Sequence, residues 1–384
     1  FPRPTTHHPK NMLTFVLSCL MAFSLVYAIM PAAIRIAHQK GLVADPNNRS
    51  SHHVSTPIIG GLPIFLGVIF TTLLLTPKDQ WGELQYILAG LVIVFLVGMK
   101  DDIEDLSPLK KMTGLIVAIS ILVVRGGVQL DGMYGLLGIQ GAFPDWLCLI
   151  ISGFTLLVIT NAFNLIDGIN GLSGTIGAII SISFGVWFFM AEQTYLGILS
   201  MTTAGSLIAF LRFNMTPAKT FMGDTGALVV GLLLGVMTIE FIDIASTKAI
   251  AEAYAFTNPI AVAVSILIIP LFDTIRVFTT RMLRGQSPLS PDRRHIHHLL
   301  IDSGFKHLEA TAILGIANLC FISMVFYLDS SLGLHSLIAL QIGVALLLTF
   351  ILHRNVRRIN AGIIPKRGTP KPAEATTELK QPAS

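Results

Sequence analysis

Apolar runs close to twenty residues long recur along nearly the whole chain, at about 12–37, 58–76, 84–99, 112–125, 146–163, 172–190, 194–212, 225–243, 257–280, 309–328 and 333–353. Crossing roughly 30 Å of hydrocarbon takes about 20 apolar residues as helix. A backbone in lipid satisfies its own polar groups only as helix or closed barrel, and long unbroken Leu, Ile, Val and Phe runs choose the helix. With 53% of its 384 residues hydrophobic, 12% charged and a mean hydropathy of +0.71, the chain has too little polar surface to cover a soluble globule of its size. The expected fold is all-α, a polytopic integral membrane protein with about 11 transmembrane helices.

Orientation follows from the distribution of Lys and Arg. Connections after odd-numbered runs, with the C-terminal tail, hold 21 basic residues; the opposite side holds Arg3, Lys10, Lys78, Arg125 and Lys248. The expected N-terminus is outside and the C-terminus cytoplasmic. Residues 1–11 read as a leader segment, 12–358 as the membrane domain and 359–384 as a disordered basic tail suited to anionic lipid headgroups. Gly126 to Pro144 is Gly-rich and too irregular to span, so it reads as an external cover with a small hairpin. Cys19, Cys148 and Cys320 lie inside apolar runs without CxxC spacing and read as packed residues.

Every unusual polar stretch falls on the cytoplasmic side of this topology. The first is Lys100-Asp101-Asp102-Ile103-Glu104-Asp105, continuing to Lys110 and Lys111. Ionisable groups at a membrane are costly unless compensated, so such a cluster is a functional site by default. The second runs from Asn161 to Gly174 and carries Asn164, Asp167 and Asn170, with glycines at 168, 171 and 174 that permit close backbone approach. The third runs from Phe213 to Gly226 and holds Asn214 and Asp224; the fourth, Arg281 to His307, holds Arg293, Arg294, His295, His297 and His298.

Clustered carboxylates without a Cys partner suggest a hard cation held by oxygen. Mg²⁺ takes one or two carboxylates together with substrate phosphates, with Mn²⁺ as its substitute, and Lys111, the arginines and the histidines supply the positive groups that phosphates need. The constellation asks for Mg²⁺-dependent phosphoryl transfer at a membrane surface. Alternatives stand beside it: zinc on the histidines, Asp101 and Asp102 as helix caps, Asp167 as a turn residue, Asp224 as an N-cap, Lys110 and Lys111 as interfacial anchors. Four acids cannot all reach one ion, so Glu104 and Asp105 are expected to be solvated. From another class, an ion-coupled transporter would also keep acids in the membrane, but near its midplane rather than at helix ends. A lipid-binding scaffold leaves the acids unexplained.

The strings GMKDDIEDLSPLKK, NAFNLIDGINGLSG, FNMTPAKTFMGDTGAL and PDRRHIHHLL, in this order, resemble the polyprenyl-phosphate N-acetylhexosamine-1-phosphate transferases, and among them the bacterial WecA-type enzymes. The resemblance implies transfer of N-acetylglucosamine 1-phosphate from UDP-GlcNAc to undecaprenyl phosphate with release of UMP, at the cytoplasmic face of the bacterial inner membrane, as the first step of a cell-surface polysaccharide such as O-antigen; the alternative is the same chemistry with another UDP-N-acetylhexosamine or UDP-MurNAc-pentapeptide. A homodimer would be in keeping with the family, and nucleic acid is not an expected partner. It further implies catalytic roles for Asp101, Asp102, Asp167, Asp224 and Lys111. Asp224 is the leading metal ligand, with Asp102 and Asp101 beside it. Substrate contacts fall to Asn161, Asn164, Asn170, Asn214, His52, Arg293, Arg294, His295, His297 and His298. One departure stands out: Asn170 occupies a position where the family often has Asp, keeping hydrogen bonding but losing a charge.

Overall fold

A computed structural model describes residues 9–44, 55–247, 254–286 and 295–367. His52, Arg293, Arg294 and the tail beyond 367 lie outside the described residues. The elements are α1 (Pro9–Lys40), β1 (Val43–Ala44), β2 (Thr56–Pro57), α2 (Gly61–Leu75), α3 (Trp81–Glu104), α4 (Pro108–Val124), α5 (Asp145–Leu165), α6 (Leu172–Met190), α7 (Thr194–Asn214), α8 (Gly223–Thr247), α9 (Pro259–Ile266), α10 (Ile268–Met282), α11 (Ile296–Asp302), α12 (His307–Leu328) and α13 (Leu334–Asn360). All eleven apolar runs are helical. Among the described residues, eight helices are long and apolar enough to cross a membrane, or nine if the bent pair α9–α10 is one span. At 15 and 17 residues, α2 and α4 reach only about 22 and 26 Å, short of the hydrocarbon thickness.

Helix α8 is the buried centre, packed by α3, α5, α2 and α6, while α1 lies outside against α7 and α2. Without a hydrophobic force between helices in lipid, close approach rests on small residues at the contacts. At Gly98 of α3 an added Cβ would stand 2.6 Å from Thr225 Cα and 2.9 Å from the Asp224 carbonyl oxygen of α8. The carboxyl end of α3 is thereby pressed onto the amino end of α8.

The 81° bend between α9 and α10 has a covalent cause. Pro270 has no N–H, so the Ile266 carbonyl loses its helical donor. Asn318 of α12 replaces it, donating from Nδ2 to that oxygen at 3.2 Å. Neighbouring helices satisfy a broken membrane helix in this way, and the bend turns α10 towards α11.

The two-residue strands pair antiparallel, and β2 continues into the entry of α8: Phe221 N donates to Pro57 O at 2.8 Å and Gly60 N to Phe221 O at 2.9 Å. At the opposite end, the 126–144 connection forms the expected cover, with a Gly132–Ala142 bridge. Tyr134 Oη donates to Asp243 at 2.9 Å, and Leu137 N to His335 Nε2 at 3.0 Å.

A Gly98→Ala substitution should force α3 from α8 and cost about 1–3 kcal/mol, lowering the melting temperature in detergent. Gly82→Ala, with nothing within 4 Å of its added Cβ, should leave it unchanged or slightly raised.

Candidate active site

Asp102, in the last turn of α3, caps α8. Its Oδ1 accepts from Asp224 N at 2.7 Å, and its Oδ2 from Thr225 N at 3.0 Å and Thr225 Oγ1 at 2.5 Å. The first amides of a helix have no internal partner and carry its positive end, so a carboxylate fits there. Gly223, with φ +70°, makes the turn; an added Cβ would stand 2.6 Å from Asp102 Oδ2.

Asp101 faces the other way. Its Oδ1 accepts from Leu106 N at 2.7 Å, closing the turn after α3. Pro108 then starts α4 at a position where a missing N–H is harmless, and Lys111 comes back over Asp101. Lys111 Nζ lies 2.9 Å from Asp101 Oδ2 and 2.8 Å from Asp224 Oδ1. Asn164 Nδ2, from the end of α5, donates to that same Asp224 oxygen at 2.5 Å. Glu104 and Asp105 are exposed as expected, Glu104 lying 3.7 Å from Lys100.

After α5 the chain turns through Asp167 into α6. Ser173 Oγ donates to Asp167 Oδ1 at 2.6 Å. Burial pushes the Asp167 carboxyl up to about 6; the Ser173 bond opposes this, while the charges of Asp224 and Asp102 add to it. Three residues expected to touch substrate also make bonds within the chain. Asn214 accepts from Gly171 N at 2.7 Å and donates to Thr220 O at 2.9 Å. Asn161 donates to Leu157 O within its own helix at 2.8 Å. Asn170 donates to Thr216 Oγ1 at 3.3 Å, and Thr311 Oγ1 donates to its carbonyl at 3.0 Å. At this position the amide can donate where a carboxylate could not.

The histidine segment closes the site. Asp273 of α10, 2% exposed, accepts from Arg276 Nη2 at 2.7 Å and Ile296 N at 3.0 Å, and lies 2.9 Å from His295 Nδ1. The His297 ring stacks parallel to His295 at 5.6 Å and lies 4.3 Å from His298. Its Nε2 points at Gly168, where any Cβ would collide with it. Burial, with His298 second, holds the His297 pKa down to about 3. A pKa held this low favours the neutral ring at physiological pH, where the sequence pattern led us to expect a cation.

The sequence reading missed Ser173, Thr225 and the Asp273–Arg276 pair. The last had a signal, because charges inside the apolar run 257–280 call for an explanation.

At this end of the bundle lie four carboxylates: Asp101 and Asp224 share the Lys111 ammonium, Asp102 is held by the amino end of α8, and Asp167 by Ser173. Among the described residues no three acidic, His or Cys side chains form a complete metal cage. Oxygen donors of this kind are the chemistry Mg²⁺ takes, with its remaining positions left to water and phosphate.

The chain was compared with known proteins. The family model described as Glycosyl transferase family 4 matches residues 84–242, which carry Asp101 to Asp224. The undecaprenyl-phosphate α-N-acetylglucosaminyl 1-phosphate transferase of Yersinia pestis is 30% identical over 80% of this chain and 82% of its own length. Its namesake from Escherichia coli K12 is 29% identical, with 80% and 82% covered. The decaprenyl-phosphate N-acetylglucosaminephosphotransferase of Mycolicibacterium smegmatis is 29% identical, with 83% and 84% covered.

Asp273→Ala would leave Arg276 buried without this carboxylate and release Ile296 N. Such broken buried pairs cost about 3–5 kcal/mol. Hydrogen exchange over 295–302 should accelerate at least about tenfold and the melting temperature should fall, whereas Asp273→Asn, which keeps an acceptor, should lose less of both.

Proposed function

The chain belongs to the polyprenyl-phosphate sugar-1-phosphate transferases of glycosyl transferase family 4, membrane-embedded enzymes, and on that premise we propose its substrates and the work of each acid. The donor is UDP-N-acetylglucosamine, the acceptor undecaprenyl phosphate, and the site faces the cytoplasm of a bacterial inner membrane. The observation that carries this reading is the Asp101–Lys111–Asp224 bridge, set beside Asn164 and Asp167 at a helix end where an aqueous nucleotide and a lipid phosphate can meet. The basic residues of the connections on that side support its orientation. The relatives' names support the sugar and differ in the polyprenyl chain.

The chemical problem is the approach of two anions. At about 4 Å and an effective dielectric of about 20, each unit charge pair repels by about 4 kcal/mol. Lys111 supplies a fixed positive charge. Asp224 would hold Mg²⁺, which when bound neutralises phosphate charge and stabilises the leaving UMP. Asp102 keeps Asp224 aimed by holding the amino end of α8, and Asn164 fixes one carboxylate oxygen. An oxygen of the lipid phosphate attacks the β-phosphorus of the donor. The bond from that phosphorus to the bridging oxygen breaks, and its electron pair leaves on UMP. A phosphate monoester has its second pKa near 6, so the acceptor is already mostly dianionic at pH 7 and needs no general base.

The direct test is UMP release by purified protein with undecaprenyl phosphate, UDP-N-acetylglucosamine and Mg²⁺. Activity should vanish on chelation and return with Mg²⁺ or Mn²⁺. Asp224→Asn should lower kcat by at least about a hundredfold; no UMP from any UDP-N-acetylhexosamine would refute the reading. Competition among UDP-sugars tests the donor.

Ionised Asp167 is the working form, so activity falls as pH drops through about 6. The Ser173 bond favours the ionised form, so Ser173→Ala should move this acidic limb to higher pH. A limb that stays in place would remove Asp167 from the account. For stability the sign is opposite: the folded carboxyl binds its proton more tightly than the unfolded one, so this group weakens the fold as pH rises from about 4 through 6.

A further inference from the structure

Arg276 of α10 and Arg284 just after it, with His353, Arg354, Arg357 and Arg358 of α13, line a cleft of about 530 Å³ to which no described carboxylate contributes a wall. Arg276 is paired with Asp273, but the other four guanidinium groups repel one another around the cleft unless an anion joins them, and they are the side chains best matched to phosphate. Along α13, Ile342, Leu346 and Phe350 are 43%, 52% and 64% exposed. They recur every fourth residue, so they form one stripe, and Phe350 is also a wall of the cleft. Arg354 is the next residue of that stripe. The apolar length from Leu334 to Phe350 is about 24 Å, most of a hydrocarbon core, which puts the arginines at headgroup depth.

We propose that this cleft binds the headgroup of an anionic bilayer phospholipid whose acyl chains lie along the Ile342–Leu346–Phe350 stripe. Charge complementarity and the unbroken passage from apolar stripe to guanidinium cluster select an amphiphile over a free anion. The catalytic acids stand on α3, α8 and the turn between α5 and α6, not on α13, which separates the cleft from the phosphate-transfer centre. The link between them is Arg276, a wall of the cleft whose Nη2 also holds Asp273, the anchor of His295. A bound phosphate therefore braces the histidine segment from behind. The inference rests on the cleft and the membrane setting and not on the proposed donor or acceptor.

Native mass spectrometry of the full chain in nanodiscs of phosphatidylcholine doped with phosphatidylglycerol or cardiolipin reads the occupancy directly. The wild type should retain the anionic lipid selectively. The variant Arg354→Gln/Arg357→Gln/Arg358→Gln, altered at exposed positions, should retain it about tenfold less or weaker still. Anionic lipid should raise the melting temperature of the wild type only, the two melting alike in pure phosphatidylcholine; the single variant Arg358→Gln gives a partial loss if the triple variant does not fold. Equal retention by variant and wild type would overturn the proposal. So would release of the lipid by inorganic phosphate, which would make this a free-anion site, or preferential occupancy by undecaprenyl phosphate, which would make it a substrate site.

Discussion

The carboxylate of Asp102 on the amino end of α8 is the interaction from which the rest of the site takes its position. It joins two helix ends of opposite character, a carboxylate in the last turn of α3 and the unpaired amides of α8. Three conditions make it possible: the bare surface of Gly98, the left-handed turn at Gly223, and the hydroxyl of Thr225 as a third donor. With α8 fixed, Asp224 follows by one residue, and Lys111 and Asn164 converge on it. Asp102 and Asp224 are therefore unlike in their bonding although both are half-buried acids, one engaged by backbone amides and the other turned to Lys111 and Asn164.

Charge is unevenly shared among the acids of the site. Burial, with the charges of Asp224 and Asp102, makes the Asp167 carboxyl reluctant to ionise. A buried carboxyl of this kind weakens the fold once it ionises. The histidine segment contributes in the opposite sense: neutral His297 fills the space over Gly168 without adding charge, while Asp273 and Arg276 hold the segment by a buried ion pair. The bend at Pro270 brings that pair to α11, so a break in a membrane helix is part of how the site is built.

Much of this was legible in the sequence. All eleven apolar runs are helices, the polar motifs share one end of the bundle, and Glu104 and Asp105 are exposed. What sequence could not resolve was direction. Asp101 and Asp102 are neighbours, yet one turns to Lys111 and the other to α8, and that choice is made by how α3 docks on α8. The same holds for Asn161, Asn170 and Asn214, whose bonds within the chain depend on how the helices dock. The short helices α2 and α4 and the break at 266–268 were hidden because hydropathy measures apolar length and not the path of the backbone. Pro270 and the Asp273–Arg276 pair were the available clues.

The account turns on Asp102 orienting α8 while Asp224 faces the cation and phosphates. Anomalous diffraction at the manganese edge, from crystals of the protein with Mn²⁺ and UDP-N-acetylglucosamine, separates these roles in one experiment. The account predicts a peak at the Asp224 carboxylate, with Asp102 still accepting from the Asp224 and Thr225 amides. A peak ligated by an Asp102 that has let go of those amides, or no peak at Asp224, would contradict it.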